Sequence, residues 1–399
     1  MKYAINAVAI AVISVISFFI FSRTRNSTLS KPVTHVAKPA SDTALQKICC
    51  EQPSRFGPNN NQDPETNGDQ KLLAGDQRSN TGMRWINGGE FTMGTNDKES
   101  HERERPAHHV KVSGFWIDIT EVTNAQFKAF VDATGYKTVA EKKPDWNELK
   151  KLLPPGTPKP SDDLLVAASL VFVPPTERVT SDDLHQWWKW MPGATWKHPE
   201  GPNSNITDRM NYPVVHVAYE DAMAYCKWAG KRLPTEAEWE YASRGGLENQ
   251  RYSWGNDFTP NGKYMANTFQ GIFPTGNTGE DGFIGLAPVK SFPPNGYGLY
   301  DMIGNAWELT SDWFDETYYI KKANSLLINP KGPSKTYVIN NPYAVEHVIR
   351  GGSFLCSGNY CVNYRPSARL GTEYDSGSSN VGFRCVEDGK KIDQSLTSK

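Results

Sequence analysis

Glycine and proline punctuate this chain so densely, with 33 of the one and 27 of the other among 399 residues, that its runs of periodic hydrophobicity are cut short almost everywhere. A helical bundle, a coiled coil and a polytopic membrane protein are excluded. Aromatic residues make up 12% of the chain, including 12 tryptophans, and large flat side chains are what a loop-rich fold uses to fill its core. The expectation is a loop-rich globular fold, a single domain with little regular secondary structure. Charge is balanced, 43 Lys+Arg against 44 Asp+Glu, so there is no basic face for nucleic acid.

The ends of the chain differ from its middle. Tyr3 to Ser22 is apolar apart from Asn6, Ser14 and Ser17, and a helix of that length matches a bilayer core of about 30 Å. It reads as a signal anchor, with a cleaved signal peptide as the alternative, because Phe18-Phe19-Ile20-Phe21-Ser22 runs into Arg23 without a small-x-small site. Residues 23–80 carry few large apolar groups and read as a disordered linker, within which Cys49 and Cys50 are adjacent thiols. The globular domain is expected over 81–388, with a polar tail over 389–399. Membrane contact is expected only through residues 3–22, and the domain on the exported side, periplasmic or secretory-lumen.

Inside the domain, Arg84-Trp85-Ile86 and Phe91-Thr92-Met93 read as strands around the turn Asn87-Gly88-Gly89, and Phe115 to Ile119 as another. Thr123 and Gln126 form a capping box opening a helix that buries Phe127, Phe130 and Val131 and stops at Gly135. A second helix starts near Tyr219 and carries Ala222, Tyr225, Cys226 and Trp228. The capping box Thr235/Glu238 opens a third, through Trp239 and Tyr241. Beyond Gly246 the pattern is loops and short strands.

Six cysteines carry most of the chemical signal. Cys356 and Cys361, five apart, would sit about 16 Å from each other on a straight strand. Ser357-Gly358-Asn359 between them is turn chemistry, which folds the chain back and lets the sulfurs converge. Two thiolates with no neighbouring histidine or carboxylate suit copper(I) better than zinc, which wants four ligands. A plain disulfide is the simpler reading of the spacing. Cys226 and Cys385 read either as a disulfide or as buried thiols. His101, His108 and His109 fall in a charged run and read as surface. Two oxygen-rich turns, Asn267-Thr268 with Asp281-Gly282-Phe283 and Asp301 through Glu308, have the donors of a hard-cation site, although by spacing alone they are ordinary turns. Trp187, Trp188, Trp190 and Trp196 read as core or as a hydrophobic groove. No nucleophile elbow, phosphate loop or dinucleotide fingerprint is present.

From about Gly88 to Cys385 the chain resembles the formylglycine-generating enzymes, or sulfatase-modifying factors. The resemblance runs through Tyr225 to Glu240, Asn277 to Gly282, Pro294 to Tyr300 and Gly304 to Glu308, and above all through Gly351-Gly-Ser-Phe-Leu-Cys-Ser-Gly-Asn-Tyr-Cys361. It implies an α+β, C-type-lectin-like fold and an oxidase. Such an enzyme converts the cysteine of a Cys-x-Pro-x-Arg motif in an unfolded sulfatase to Cα-formylglycine, using dioxygen and a thiol reductant. By the same resemblance Cys356 and Cys361 bind copper(I), with the substrate thiolate as a third sulfur ligand. Ser353 and Trp307 line the catalytic pocket, and Tyr360, Arg365, Arg369 and Asn380 lie near the substrate groove. One calcium is implied at Asn267, Thr268, Asp281 and Phe283, and a second at Asp301, Gly304, Ala306 and Glu308. Asp301 departs from the family's asparagine, which adds a charge there. Cys226 and Cys385 match a family disulfide, while the positions of another are Ser243 and Pro366. A monomer is expected. The alternatives are an oxidoreductase of a small thiol on the same fold, and a non-catalytic peptide-binding member.

Overall fold

The computed structural model describes residues 82–150, 156–180, 183–339 and 341–389. The expected anchor, the linker with Cys49 and Cys50, and residues 390–399 lie outside them. Among the described residues no helix is long and apolar enough to cross a membrane.

Short strands are tied together across long sequence distances. Strand β1 (Met83–Ile86) pairs antiparallel with β4 (Phe115–Asp118), whose other edge takes β14 (Val386–Glu387). The beginning and end of the domain are thereby closed onto one strand. A second sheet joins β2 (Gly89–Met93) and β3 (His108–Val112) with the two-residue β10 (Leu327–Ile328). The turn into β2 needs Gly88, since a Cβ there would lie 2.5 Å from the Val112 carbonyl oxygen. Strand alternation corrects the histidine expectation: His108, Val110 and Val112 point inward, so His108 is buried and only His109 faces solvent. His101 is buried as well.

The sheet that positions the site has the order β12-β11-β9-β13, with β9 (Trp307–Trp313), β11 (Glu346–Arg350), β12 (Arg369–Glu373) and β13 (Val381–Gly382). Beside it lie the hairpin of β5 (Ala168–Phe172) with β6 (Trp188–Pro192) and a small one of β7 (Gly271–Ile272) with β8 (Gly276–Asn277).

All three expected helices form. In α1 (Asn124–Thr134) the Thr123 hydroxyl accepts from the Gln126 amide, the Gln126 side chain accepts from the Thr123 amide, and Gly135 closes the end at φ 68°. Helix α2 is Tyr219–Trp228, and α3 is Glu236–Arg244 with Thr235 as its cap. Phe127, Phe130, Trp196, Tyr225 and Phe383 interlock in the main core, and Leu170, Trp187, Trp188, Phe269, Phe354 and Leu355 make a second one. Trp187, Trp188 and Trp196 are thus core, and Trp190 is half-buried against the second cluster. Helix α3 also buries charge: Glu236 pairs with Arg350 (2.9 Å) and Arg369 (2.6 Å), and Glu240 with Arg244 and Arg350. These bonds fasten the helix to the ends of β11 and β12.

Candidate active site

Strand β11 delivers the chain from Arg350 into Gly351 and Gly352, both in the left-handed region at φ 93° and 75°. A Cβ on Gly351 would lie 2.9 Å from the Met302 carbonyl oxygen and 3.1 Å from the Trp239 ring. That double bend starts the Ser353–Cys361 segment, which is a succession of tight turns. The Cys356 amide donates to the Ser353 carbonyl (2.9 Å), and the Cys361 and Tyr360 amides both donate to the Ser357 carbonyl (2.8 and 3.2 Å). Cys356 and Cys361 therefore flank one turn, and both are buried, at 0% and 3% exposure.

Around Cys356 the groups brought together are Ser353, Asn380 and Trp307. The Ser353 amide points at the Cys356 sulfur (3.4 Å). The Ser353 hydroxyl oxygen accepts from the Asn380 side chain (3.2 Å), Ser378 donates to the same asparagine (2.8 Å), and the Trp307 amide donates to the Asn380 carbonyl (2.9 Å). Tyr360 stacks on Phe273 at 4.3 Å and meets the edge of Trp187 at 6.0 Å, forming an aromatic wall. A cavity of about 360 Å³ shares Phe354 with this segment and is lined by Phe172, Trp196, Ile284 and Leu286.

Arg365 and Arg369 are placed differently from the other expected groove residues. Arg369 is fully buried, bidentate on Glu236. Arg365 donates to both oxygens of Glu104 (2.8 and 2.7 Å) and from its Nε to the Val362 carbonyl (2.7 Å). Both guanidinium groups are engaged by internal acceptors. Burial works to raise the Glu104 carboxyl, yet Arg365 beside it holds it down to about 2. His101 lies in the same neighbourhood, and burial, seconded by Arg103, pushes its imidazole down to about 4. Glu104, His101 and Phe273 carried no sequence signal, because each acquires its partners only through the fold.

The donors can be tested against the metals that the resemblance implies. Among the described residues no three His, Cys, Asp or Glu side chains are grouped as a metal site, so a zinc-like set is not offered. Two buried cysteine sulfurs, one facing a backbone N–H that favours the thiolate, fit a soft monovalent ion of low coordination number. At the first oxygen-rich turn the Asn267 Oδ1 is buried with no hydrogen-bond partner, while its Nδ2 donates to the Gly285 carbonyl (2.9 Å) and Asn305 (3.1 Å). Asp281 accepts from the Thr268 and Phe283 amides (2.8 and 3.0 Å). At the second turn Asp301 accepts from the Lys290 amide (2.7 Å), and Glu308 accepts from Arg384 and Trp239. A lone buried amide oxygen beside a carboxylate fits a hard cation. The sulfurs of Cys226 and Cys385 lie 3.0 Å apart as buried thiols.

The sequence profile of the sulfatase-modifying factor enzyme 1-like domain matches residues 69–389. The formylglycine-generating enzyme of Mus musculus is 46% identical, over 77% of this chain and 75% of that protein. The formylglycine-generating enzyme of Thermomonospora curvata is also 46% identical, over 77% of this chain and 93% of that protein. The inactive C-alpha-formylglycine-generating enzyme 2 of Mus musculus is 38% identical, over 79% and 88%. With all of its described residues inside the matched region, this chain belongs to the sulfatase-modifying factor enzyme family.

Proposed function

We propose that this chain activates sulfatases by oxidising the cysteine of a Cys-x-Pro-x-Arg motif to Cα-formylglycine, with dioxygen as oxidant, a thiol as reductant and copper(I) held by Cys356 and Cys361. The relatives named formylglycine-generating enzymes, at 46% identity, support the reaction class. The fold alone does not carry it, because a relative at 38% identity is named inactive. The observation that carries the reading is the Gly351–Cys361 segment, whose turns bury two cysteines beside an aromatic wall.

Copper(I), when bound, supplies the electron-transfer chemistry with dioxygen that no side chain here supplies. The chain's own residues do the rest. The Ser353 N–H stabilises negative charge on the Cys356 sulfur, and the Ser378–Asn380–Ser353 hydrogen bonds hold that N–H in place. Burial of both sulfurs keeps water and stray oxidants from them. Half-buried Tyr360 and Phe273, backed by the buried Trp187, offer flat surface to an extended peptide, and the cavity at Phe354 takes an apolar side chain of it. Arg365 and Arg369 act behind this surface, holding the turn and the end of β12. Dioxygen takes four electrons on its way to water. Two leave the substrate's Cβ–S unit, two come from the thiol, and hydrolysis releases sulfide and leaves the aldehyde. Two calcium ions brace the turns, one at Asn267, Thr268, Asp281 and Phe283, the other at Asp301, Gly304, Ala306 and Glu308. The protein works as a monomer on the exported side of a membrane, tethered through residues 3–22.

The test is turnover of a Cys-x-Pro-x-Arg peptide by copper-loaded full-length protein with thiol and air, read by mass spectrometry after hydrazide trapping. Aldehyde from wild type that vanishes in Cys356→Ser and in Cys361→Ser is the expected result. Copper uptake without peptide turnover would instead point to a small-thiol oxidase, and neither of the two to a non-catalytic member.

A further inference from the structure

One excursion of the chain carries a surface that the reaction does not use. It leaves β9 through Phe314–Glu316 and returns to the same place: the Tyr337 amide donates to the Phe314 carbonyl (2.8 Å), and the Glu316 amide to the Tyr337 carbonyl (3.0 Å). Among the described residues eleven large hydrophobic side chains are exposed. Five of them, Ile320, Leu326, Ile328, Tyr337 and Ile339, fall on this excursion, at 47% to 65% exposure. Single apolar residues scattered over a surface are ordinary, but such a concentration marks a contact. Its middle is fixed by β10 against β3, which leaves Leu327 half-buried and its neighbours Leu326 and Ile328 in solvent. The stretch is also one-sided in charge. From Thr317 to Val345 there are four lysines and no Asp, Glu or Arg. Lys321 is taken up by Asp315 (2.7 Å), while Lys322, Lys331 and Lys335 make no ion pair among the described residues. Of the carboxylates beside the loop, Glu316 accepts from the Ile339 amide (2.8 Å) and Asp388 is held by Arg232 (2.6 Å).

We propose that residues 317–339 are a membrane-docking face, whose exposed apolar side chains enter an anionic lipid surface while its lysines meet the headgroups. Apolar and cationic side chains intermixed without carboxylates are what such an interface selects. Lysine suits it because its methylenes stay with the apolar groups while the ammonium reaches outward. Contacts between proteins are depleted in lysine, which weighs against a protein occupant. The length of chain preceding the domain favours the same surface. With residues 3–22 in a membrane, as proposed above, a linker over 23–80 with random-coil statistics keeps the domain within roughly 40 Å of the bilayer. A face too weak to hold a free protein on lipid is then sufficient, because the second contact is made within one tethered molecule. Docking sets which side of the domain faces the bilayer.

This inference rests on the anchor reading of residues 3–22 and is independent of the copper chemistry. Full-length protein would be placed in nanodiscs of phosphatidylcholine alone and of an equal mixture with phosphatidylglycerol. Deuterium exchange over 317–339 is read by mass spectrometry, with trypsin cleavage after Lys331 and Lys335 as a second readout. In the anionic discs exchange should slow by roughly tenfold or more relative to the neutral ones, each lysine at such a surface being worth roughly fivefold. The slowing should vanish at about 0.5 M salt, where the screening length is about 4 Å. It should vanish also in Lys331→Glu/Lys335→Glu and in Ile328→Asp, exposed positions whose replacement leaves peptide turnover as in wild type. Equal exchange in the two kinds of disc, with the protein seated in both, would overturn the proposal. Protection that arises without lipid and grows with protein concentration would overturn it in favour of a second copy of this chain. A chain that stays out of the discs refutes the anchor reading alone. Anionic vesicles added to that same protein at millimolar lipid then decide the face: slowed exchange over 317–339 upholds it, and unchanged exchange overturns it.

Discussion

Replacing Glu104 by glutamine tests whether the Cys361 end of the site is held by a buried ion pair. Glu104 accepts from both terminal nitrogens of Arg365, from Ser367 (2.8 Å) and from the His101 amide (3.1 Å), and neither member of the pair reaches solvent. Glutamine keeps the shape but turns an N–H₂ toward Arg365 and Ser367, leaving a guanidinium buried without its counter-charge. Breaking such a pair from one side costs about 3–5 kcal/mol. An independent route gives a similar size. The carboxyl is held down to about 2 from an ordinary 4.5, a gap worth about 3 kcal/mol.

The sign follows from the direction of the shift. A depressed folded pKa means the contribution is fully present above pH 4.5 and is lost as pH falls through 2. Denaturant unfolding of wild type and Glu104→Gln at pH 7, 4.5, 3 and 2 should therefore show a difference of about 3 kcal/mol at the first two values that shrinks toward the last. In heating experiments the neutral-pH gap corresponds to roughly 5 °C for a domain of this size. The double variant Glu104→Gln/Arg365→Met should recover much of the loss, because no buried charge is then left alone. A difference under about 1 kcal/mol at pH 7, or one of full size at pH 2, would refute the reasoning.

Asp221 behaves in the opposite sense: burial raises its carboxyl to about 7, although it accepts from Tyr136 and the Val139 and Ala218 amides. Its stabilising contribution is complete below pH 3.8 and lost as pH rises through 7, so wild-type thermal stability should fall between pH 4 and 8 more steeply than that of Asp221→Asn. Gly304→Ala should lower stability by at least about 2 kcal/mol in urea unfolding, since the position has φ 78° and a Cβ would lie 2.2 Å from the Asn267 carbonyl oxygen. Thr235→Ala should cost about 1 kcal/mol by the same measurement through loss of the α3 cap, and an unchanged midpoint would mean that the Glu238 side chain alone secures that end.

What the sequence made legible was local. Helices α1 and α3 follow from capping boxes whose partners lie three residues apart, α2 follows from the spacing of its apolar residues, and the turn between Cys356 and Cys361 follows from its small polar residues. The histidines went the other way. A charged run around His101 and His108 reads as surface, but β3 turns His108 inward by strand alternation, and His101 is carried in by the turn that brings Glu104 to Arg365. Arg365 and Glu104 are 261 residues apart. No periodicity in one chain reports on such a pair, and the same holds for Tyr360 meeting Phe273 and for Glu121 accepting from Asn305. Resemblance marked Arg365 and Arg369 as groove residues, whereas the contacts that define them here are internal carboxylates.

Why a domain this poor in long ladders should bury so many charges follows from its turns. A strand pair of two residues, such as β13 against β9, has too few hydrogen bonds to define where the loops on either side run. Apolar packing fills the space between such loops but is not directional. A bidentate guanidinium–carboxylate pair is directional, and here the pairs stand where directionless packing would leave the site loose. Arg350 and Arg369, at adjoining ends of β11 and β12, share Glu236. Arg384 links Glu308 on β9 to the Asp118 and Tyr300 carbonyls, and Arg365 fixes the turn after Cys361 through Val362. Each replaces a missing stretch of sheet by one rigid contact. Their desolvation makes them poor sources of net stability and good sources of a single geometry. The proposed role of the two buried sulfurs, which is to hold one soft ion between them, needs the second property more than the first.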